Sequence, residues 1–459
     1  MEAAATYGVI SLIPIAVVII MALITKKTFE PLLTATLVAI IIYAKGDFFN
    51  EFVNGALAVM ADPTIGWVIL VCGFMGSLLL ILEKSNASIA FANLLEKFAT
   101  TRKKALFCTW LFGIFLFIDD YLNVLTVGNT MKKVTDKFKI SRAMLAYSVG
   151  STAAPIVVLV PISTWAIFFA SLLKNEGIVG ADGSAITAYI HCIPYLFYGW
   201  IAVFIVMPLV ILGIIPLMGP MKKQELNARE TGDLFPPGVR PPVKEETVLD
   251  PSVKQGGIWD FILPLLVLVG VTLAVGNDVL KGIIVALFFT AILYVGKKLT
   301  DFTTFLDNFW SGFATMVQIF GLLVLAFMFK NACAALGFTD YVIASVAPYM
   351  DGGLLPAVVF VATALMAFAM ANFWGLAAIV VPIVIPLATA MNVDIYLASA
   401  AVFSGATFGS HACFYADSAI LIGNATDIRP YDHAITQLPY AIIAAILTTI
   451  LYLILGFKI

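Results

Sequence analysis

Two adjacent carboxylates lie inside an apolar stretch of this sequence. Asp119 and Asp120 occur in the segment FIDDYLNVLTVGNT, which also carries Asn123. A charge in the bilayer interior is costly, so an ionisable pair inside an apolar span predicts a functional site. Because neighbouring carboxylates repel each other, we expect a cation or a proton between them. The pair therefore favours alternating occupancy by Na⁺ and H⁺; the alternative is that it caps the half-helix that follows.

A second polar group is the segment GSTAAP, with Ser151, Thr152 and Pro155. Small residues before a proline are typical of an unwound segment whose carbonyl and hydroxyl oxygens can bind Na⁺. The alternative is a proline kink in a packed helix.

Two further polar groups lie in the second half, in ANFWG and in SGATFGSHACFYADS. The latter places His411 and Asp417 in one apolar span, where an imidazole and a carboxylate can bind a cation or relay a proton. His191 and His433 are expected at the membrane edges. The residues predicted to bind the cation or proton are Asp119, Asp120, Asn123, Ser151, Thr152, His411 and Asp417. Those predicted to bind a substrate are Asn372, Trp374, Ser404, Thr407, Ser410 and Ser418.

The amino-acid composition indicates that these polar groups lie in a membrane protein. Of 459 residues, 61% are hydrophobic and 12% are charged, against about 45–50% and about 25% in soluble domains. The chain is therefore predicted to be an all-α polytopic membrane protein. The net charge of −2 provides no positive electrostatic potential that would attract nucleic acid, so nucleic acid is not expected as a partner. ATPase and hydrolase motifs are not found, so an enzyme is not expected, nor is any cofactor beyond Na⁺ or H⁺ as coupling ions.

The chain divides almost in half at residues 221–257, which hold twelve charges and five prolines. This composition predicts a cytoplasmic linker without helical periodicity between repeats at 1–220 and 258–459. Three landmarks recur 253 to 257 residues apart, which indicates a duplicated unit. The paired landmarks are Gly55 with Gly312, Asp119 with Asn372, and Pro155 with His411.

Apolar runs predict six segments in each half. They lie at roughly 8–25, 30–44, 64–82, 105–131, 143–173 and 194–217, and at roughly 259–276, 279–296, 312–330, 353–391, 395–424 and 434–456. If 105–131 and 353–391 are re-entrant hairpins, 21 of the 26 basic residues lie on the cytoplasmic side. Each half then has five transmembrane helices and one hairpin, and the odd number inverts the second repeat. Inverted repeats with broken helices at mid-membrane are typical of secondary transporters.

The stretch from FIDDYLNVLTVGNT through SVGSTAAPIVVLVPISTW resembles the NhaC-type Na⁺/H⁺ antiporter family, and FGSHACFYADSAIL is similar to its second signature. Asp119, Asp120, His411 and Asp417 match the family pattern. The family often has Asp where this chain has Gly150, and GDH where this chain has Gly409-Ser410-His411.

The resemblance and the topology together imply a cation-coupled secondary active transporter with elevator-like movement, a homodimer in the bacterial inner membrane. The loss of two acids leaves room for an organic solute, so the alternative is a Na⁺- or H⁺-coupled carrier of an amino acid or small organic acid. An ion channel is the least favoured class.

Overall fold

The structure is a computed structural model that describes residues 7–25, 29–85, 87, 90, 94, 97–236, 256–276, 278–346, 348–370, 373–414 and 416–458. All regular secondary structure in these residues is helical. Seven helices are long and apolar enough to cross a membrane, or eight if a bent pair counts as one span. The chain is thus an all-helical, multi-pass membrane protein, as predicted.

The α-helices of the first half are short wherever polar residues or prolines interrupt an apolar run. They are α1 (Ile13–Thr25), α2 (Phe29–Ala44), α3 (Phe48–Met60), α4 (Pro63–Lys84), α5 (Arg102–Phe115), α6 (Asp120–Lys137), α7 (Arg142–Thr152), α8 (Ala154–Val157), α9 (Thr164–Asn175), α10 (Ala185–Cys192), α11 (Phe197–Ile201), α12 (Met207–Leu212) and α13 (Gly219–Thr231).

The second half repeats much of this order. Its helices are α14 (Ile258–Ala274), α15 (Val279–Gly296), α16 (Phe302–Ala314), α17 (Val317–Ala335), α18 (Phe338–Val346), α19 (Leu355–Met370), α20 (Phe373–Ala390), α21 (Ile395–Ala412), α22 (Asp417–Thr426) and α23 (Pro430–Gly456). Four helices of the first half start at one constant spacing in sequence from four helices of the second half. The pairs are α5 with α19, α6 with α20, α7 with α21, and α9 with α22. This constant interval supports the duplication at the level of whole elements.

Breaks occur inside three of the predicted interrupted segments. The 105–131 segment divides between α5 and α6, where Leu116 ends one helix and Asp119 begins the next. The 143–173 segment divides into α7, α8 and α9, and the 395–424 segment into α21 and α22. The break expected in 353–391 falls at residues 371 and 372, which lie outside the described residues.

Two regions differ from the sequence-based expectation. The segment predicted as one span at 194–217 belongs to a chain of short helices, and Ala185–Tyr195 meets Phe197–Leu212 at 53°. The segment predicted to lack helical periodicity begins with α13. That helix is held by Glu225, a buried carboxylate that pairs with Arg102 and accepts a hydrogen bond from the Ser141 amide at 2.8 Å. The composition of the linker did not indicate this anchoring.

The two halves meet closely where α4 crosses α16. A Cβ atom at Gly76 would lie 2.5 Å from the Gly312 carbonyl oxygen, and a Cβ atom at Gly312 would strike the Gly76 carbonyl oxygen. The Ser77 hydroxyl donates to the Phe309 carbonyl at 2.7 Å. Only glycine permits this backbone contact, so these two helices are fixed against each other.

Candidate functional site

A cavity of about 200 Å³ lies between elements of the two halves. It is lined by Asp119, Asp120, Tyr121, Thr164, Thr315, Met316, Gln318, Ile319, Leu322, Phe373, Trp374 and Asp417. An adjacent pair of carboxylates from the first half and one carboxylate from the second thus face one space. Four residues predicted from the sequence, namely Asp119, Asp120, Trp374 and Asp417, are brought together here.

Asp119 is buried and begins α6 as its N-cap. Its Oδ1 accepts hydrogen bonds from the backbone amides of Tyr121 at 2.9 Å and Leu122 at 3.1 Å. Its Oδ2 accepts a hydrogen bond from the Thr164 hydroxyl at 3.0 Å. The capping alternative is therefore correct for this residue, and both carboxylate oxygens already have protein partners.

Asp120 differs from its neighbour because one of its oxygens has no protein partner. Its Oδ1 accepts a hydrogen bond from the Trp165 indole N–H at 3.0 Å. Its Oδ2 is buried, and none of the described residues donates to it. The residue is 2% exposed and lines the cavity. A buried carboxylate oxygen without a donor is costly, which marks it as the acceptor for a cation or a proton.

Asp417 contributes the third carboxylate from the second half. Its Oδ2 accepts a short hydrogen bond from the Tyr121 hydroxyl, and its Oδ1 accepts one from the Ser418 amide at 2.8 Å. The Ser418 hydroxyl donates to the Ser410 carbonyl at 2.9 Å, which closes the break between α21 and α22. The bond from Tyr121 joins the two halves of the chain directly across the cavity.

Three helices of the described structure begin at this cavity, because residues from the first turns of α6, α9 and α22 line it. The positive end of a helix macrodipole lies at its N-terminus and stabilises negative charge there. The backbone therefore stabilises the carboxylates in this otherwise apolar region.

One wall of the cavity is aromatic. The Trp165 ring stacks on Phe373 with centroids 4.8 Å apart, and Trp374 lies edge-on to Phe168 at 4.8 Å. Trp374 was predicted as a substrate contact, whereas Tyr121, Trp165 and Thr164 were missed. The adjacency of Tyr121 to the acid pair was a signal in the sequence; Trp165 gave none.

A second polar cluster surrounds His411 at the C-terminal end of α21. Its Nδ1 lies 2.8 Å from the Tyr198 hydroxyl and its Nε2 lies 3.5 Å from the Ser151 hydroxyl. Ser151 belongs to the end of α7, so this cluster also joins the two halves of the chain. Neither His411 nor Ser151 lines the cavity of the acids.

His433, which was expected at a membrane edge, is buried within the protein. It is 0% exposed, and neither ring nitrogen bonds to any described residue. A methyl group at Gly150 would lie 2.9 Å from Gln437 Oε1 and 3.2 Å from His433 Cε1. The position where the resembling family often has an acid thus faces an imidazole and an amide in this chain.

The other predicted residues bond mainly within the fold. The Asn123 amide donates to the carbonyls of Gly113, Leu116 and Thr152, at 2.6, 3.2 and 2.7 Å. The hydroxyls of Thr152 and Thr407 donate to carbonyls of their own helices.

Ser404 accepts a hydrogen bond from Tyr452 at 2.9 Å. Asn372 lies outside the described residues. Among the described residues, no group of three or more His, Cys, Asp or Glu side chains is placed so that it could hold a metal ion.

Comparisons with known proteins agree with this architecture. Residues 252–457 match the model of the Na⁺/H⁺ antiporter family. An uncharacterized protein of Haemophilus influenzae is 25% identical over 486 residues, covering 97% of this chain and 91% of that protein.

Two solved structures share the fold. The YdaH transporter of Alcanivorax borkumensis has a TM-score of 0.62 and 15% identity over 90% of both chains. MtrF of Neisseria gonorrhoeae, described among a class of antimetabolite efflux pumps, has a TM-score of 0.56 and 13% identity, covering 89% of this chain and 83% of that one. At these identities the likeness concerns the fold alone.

Proposed function

We propose that the chain is a cation-coupled secondary active transporter of the Na⁺/H⁺ antiporter family, of the NhaC type. The observation that carries the proposal is the cavity in which Asp119 and Asp120 of the first half face Asp417 of the second. Its acceptor is the unpartnered Oδ2 of Asp120. A Na⁺ ion or a proton bound there neutralises charge that is costly inside a bilayer. The match to the antiporter family model over residues 252–457 supports this assignment.

The movement that we propose is an elevator. Two inverted repeats, each of five transmembrane helices and one hairpin, place broken helices at mid-membrane. The hairpins and broken helices form the moving unit, and the first two and last helices of each half form the scaffold. Neutralisation of the carboxylates lowers the cost of carrying the cavity across the bilayer. The working state is a homodimer in the bacterial inner membrane, with Na⁺ or H⁺ as the coupling ion.

A second candidate function is a Na⁺- or H⁺-coupled carrier of an amino acid or small organic acid. The observation that favours it is the apolar part of the lining, formed by Met316, Ile319, Leu322, Phe373 and Trp374. An inorganic cation is held by oxygen ligands and gains nothing from such a wall, whereas an organic solute buries apolar surface against it.

The test uses purified protein in proteoliposomes that carry a pH gradient. An antiporter lets Na⁺ or Li⁺ alone collapse the gradient, whereas a solute carrier accumulates a labelled solute when a cation gradient is imposed. Asp120→Asn and Asp417→Asn should each abolish coupling in either case. The matched control is Asp182→Asn, which alters an exposed carboxylate that bonds to Thr187 and Ser184. Full coupling in both cavity variants would refute the assigned site.

The elevator is tested separately by cross-linking. Paired cysteines placed on a hairpin and on the scaffold should stop transport when they are oxidised. Undiminished transport in the cross-linked protein would refute the proposed movement.

A further inference from the structure

We infer that the solute of this cavity carries an ammonium group that binds to Asp120, with an apolar body that packs against Phe373 and Trp374. The inference rests on the proposed function and names the chemical class of its solute. It selects between the amino acids and the organic acids that the second candidate function leaves open.

The first step is the charge of the lining. The described residues that line the cavity include three carboxylates and no lysine, arginine or histidine. A solute whose only charge is a carboxylate would meet like charges there without a basic partner, and such a juxtaposition is strongly unfavourable. A positively charged group meets complementary charge instead.

The second step identifies the oxygen that accepts the ammonium group. Asp119 is occupied by two backbone amides and the Thr164 hydroxyl. Asp417 is occupied by the Tyr121 hydroxyl and the Ser418 amide. Asp120 Oδ2 alone among these carboxylate oxygens has no donor in the described structure. An ammonium group supplies up to three N–H donors, and its bond to a carboxylate is charge-assisted. It competes with the coupling cation for this oxygen, so the solute and the cation bind there alternately.

The third step is the remainder of the cavity. The Trp374 and Phe373 rings line the same space as the carboxylates, together with Met316, Ile319 and Leu322. Aromatic faces attract cations and also bury apolar groups. The volume of about 200 Å³ is several times the share of one water molecule, about 30 Å³, and below the ~300–1,000 Å³ of pockets for drug-sized ligands. The cavity therefore suits a small amine or amino acid.

The experiment compares matched probes on the purified full-length protein in a detergent buffer without sodium salts, because Na⁺ competes for Asp120 Oδ2. One set is isopentylamine, L-leucine and 4-methylpentanoate; the other is phenethylamine, L-phenylalanine and 3-phenylpropanoate. Within a set, the apolar body is closely matched while the ammonium group is present or absent. We expect an ammonium-bearing probe in at least one set to raise the melting temperature in a saturable manner, and the deaminated acid to leave it unchanged.

Asp120→Asn should weaken that binding by about tenfold to a hundredfold, as expected for the loss of a charge-assisted bond, and Asp182→Asn should leave it unchanged. The inference is overturned if the deaminated acid binds as tightly as its amine, if no ammonium-bearing probe binds, or if Asp120→Asn binds the amine normally. The probe comparison uses the unaltered protein, so it holds even if the variant does not fold.

The outcome is separable from that of the proposed function. Binding of the amines without any cation coupling in proteoliposomes would refute the transporter mechanism and retain the solute class. Intact coupling together with binding of the deaminated acids would do the reverse.

Discussion

Replacement of Asn123 by alanine should destabilise the protein more than removal of a buried hydroxyl that bonds only within its own helix. The amide of this residue joins the C-terminal ends of two broken helices, because Nδ2 donates to Gly113 and Leu116 of α5 and to Thr152 of α7. The Thr152 carbonyl lies at a helix end, where the helix itself provides no partner. The Gly113 carbonyl also accepts a hydrogen bond from the Leu116 amide at 3.2 Å. Two of the three distances, 2.6 and 2.7 Å, are those of strong bonds.

The magnitude follows from what alanine leaves behind. A buried carbonyl that loses its donor costs about 1–3 kcal/mol. Alanine leaves the Thr152 carbonyl without one, whereas Gly113 keeps the Leu116 amide, so the substitution should cost roughly 1–3 kcal/mol. Thr135→Val is the matched control on the same helix. Thr135 is also buried, but its hydroxyl donates only to carbonyls of α6 itself, at 2.9 and 3.0 Å. Its loss should cost less than about 1 kcal/mol.

The assay is the melting temperature of both variants and of the unaltered protein in one detergent. Asn123→Ala should melt well below Thr135→Val. If the two variants melt together, the broken helices are held by their packing and the amide contributes little, and the reasoning is refuted.

Three other perturbations follow from described contacts. Gly312→Ala should lower the free energy of unfolding by about 1–3 kcal/mol, because its methyl group strikes the backbone of α4. Its control is Gly55→Ala at the paired landmark, whose methyl group meets only a methionine methyl at 3.8 Å. In thermal-shift measurements this control should be neutral or stabilising by up to about 1 kcal/mol. Glu225→Gln breaks a buried pair with Arg102 at a cost of about 3–5 kcal/mol, and should expose α13 to limited proteolysis. His433→Leu removes two unpartnered buried nitrogens, so it should raise the melting temperature while transport in proteoliposomes falls.

Each of these three predictions would be contradicted by a particular result. Equal destabilisation by Gly312→Ala and Gly55→Ala would show that the helix crossing is not tight. An unchanged proteolytic pattern in Glu225→Gln would show that α13 is held by its other contacts. A His433→Leu variant that is less stable and fully active would show that the imidazole is structural.

The sequence predicted the helical membrane fold because apolar runs and their interruptions are local features. Asp119 marks a helix start by its position alone, and the break at GSTAAP can be located from Pro155. The expectation of a duplicated unit rests on the same kind of feature, since duplicated interruptions keep their spacing.

The partners within the site were not predictable, because they depend on contacts between distant segments. Tyr121 bonds to Asp417 across 296 positions, and Trp165 bonds to Asp120 across 45. No local pattern distinguishes Trp165 from an interfacial tryptophan. His433 lies close to the start of α23, and only the packing around it shows that it is buried.

The N-termini of α6, α9 and α22 at the cavity set the polarity of this site independently of its side chains. Each contributes about half a positive charge, so the main chain alone would make the space attractive to anions, and the carboxylates reverse that preference. An architecture of this kind can change the sign of its cargo through a few acidic positions, without rebuilding any helix. Exchange of the three aspartates for asparagine should therefore produce a pocket that attracts anions, and not an inert one.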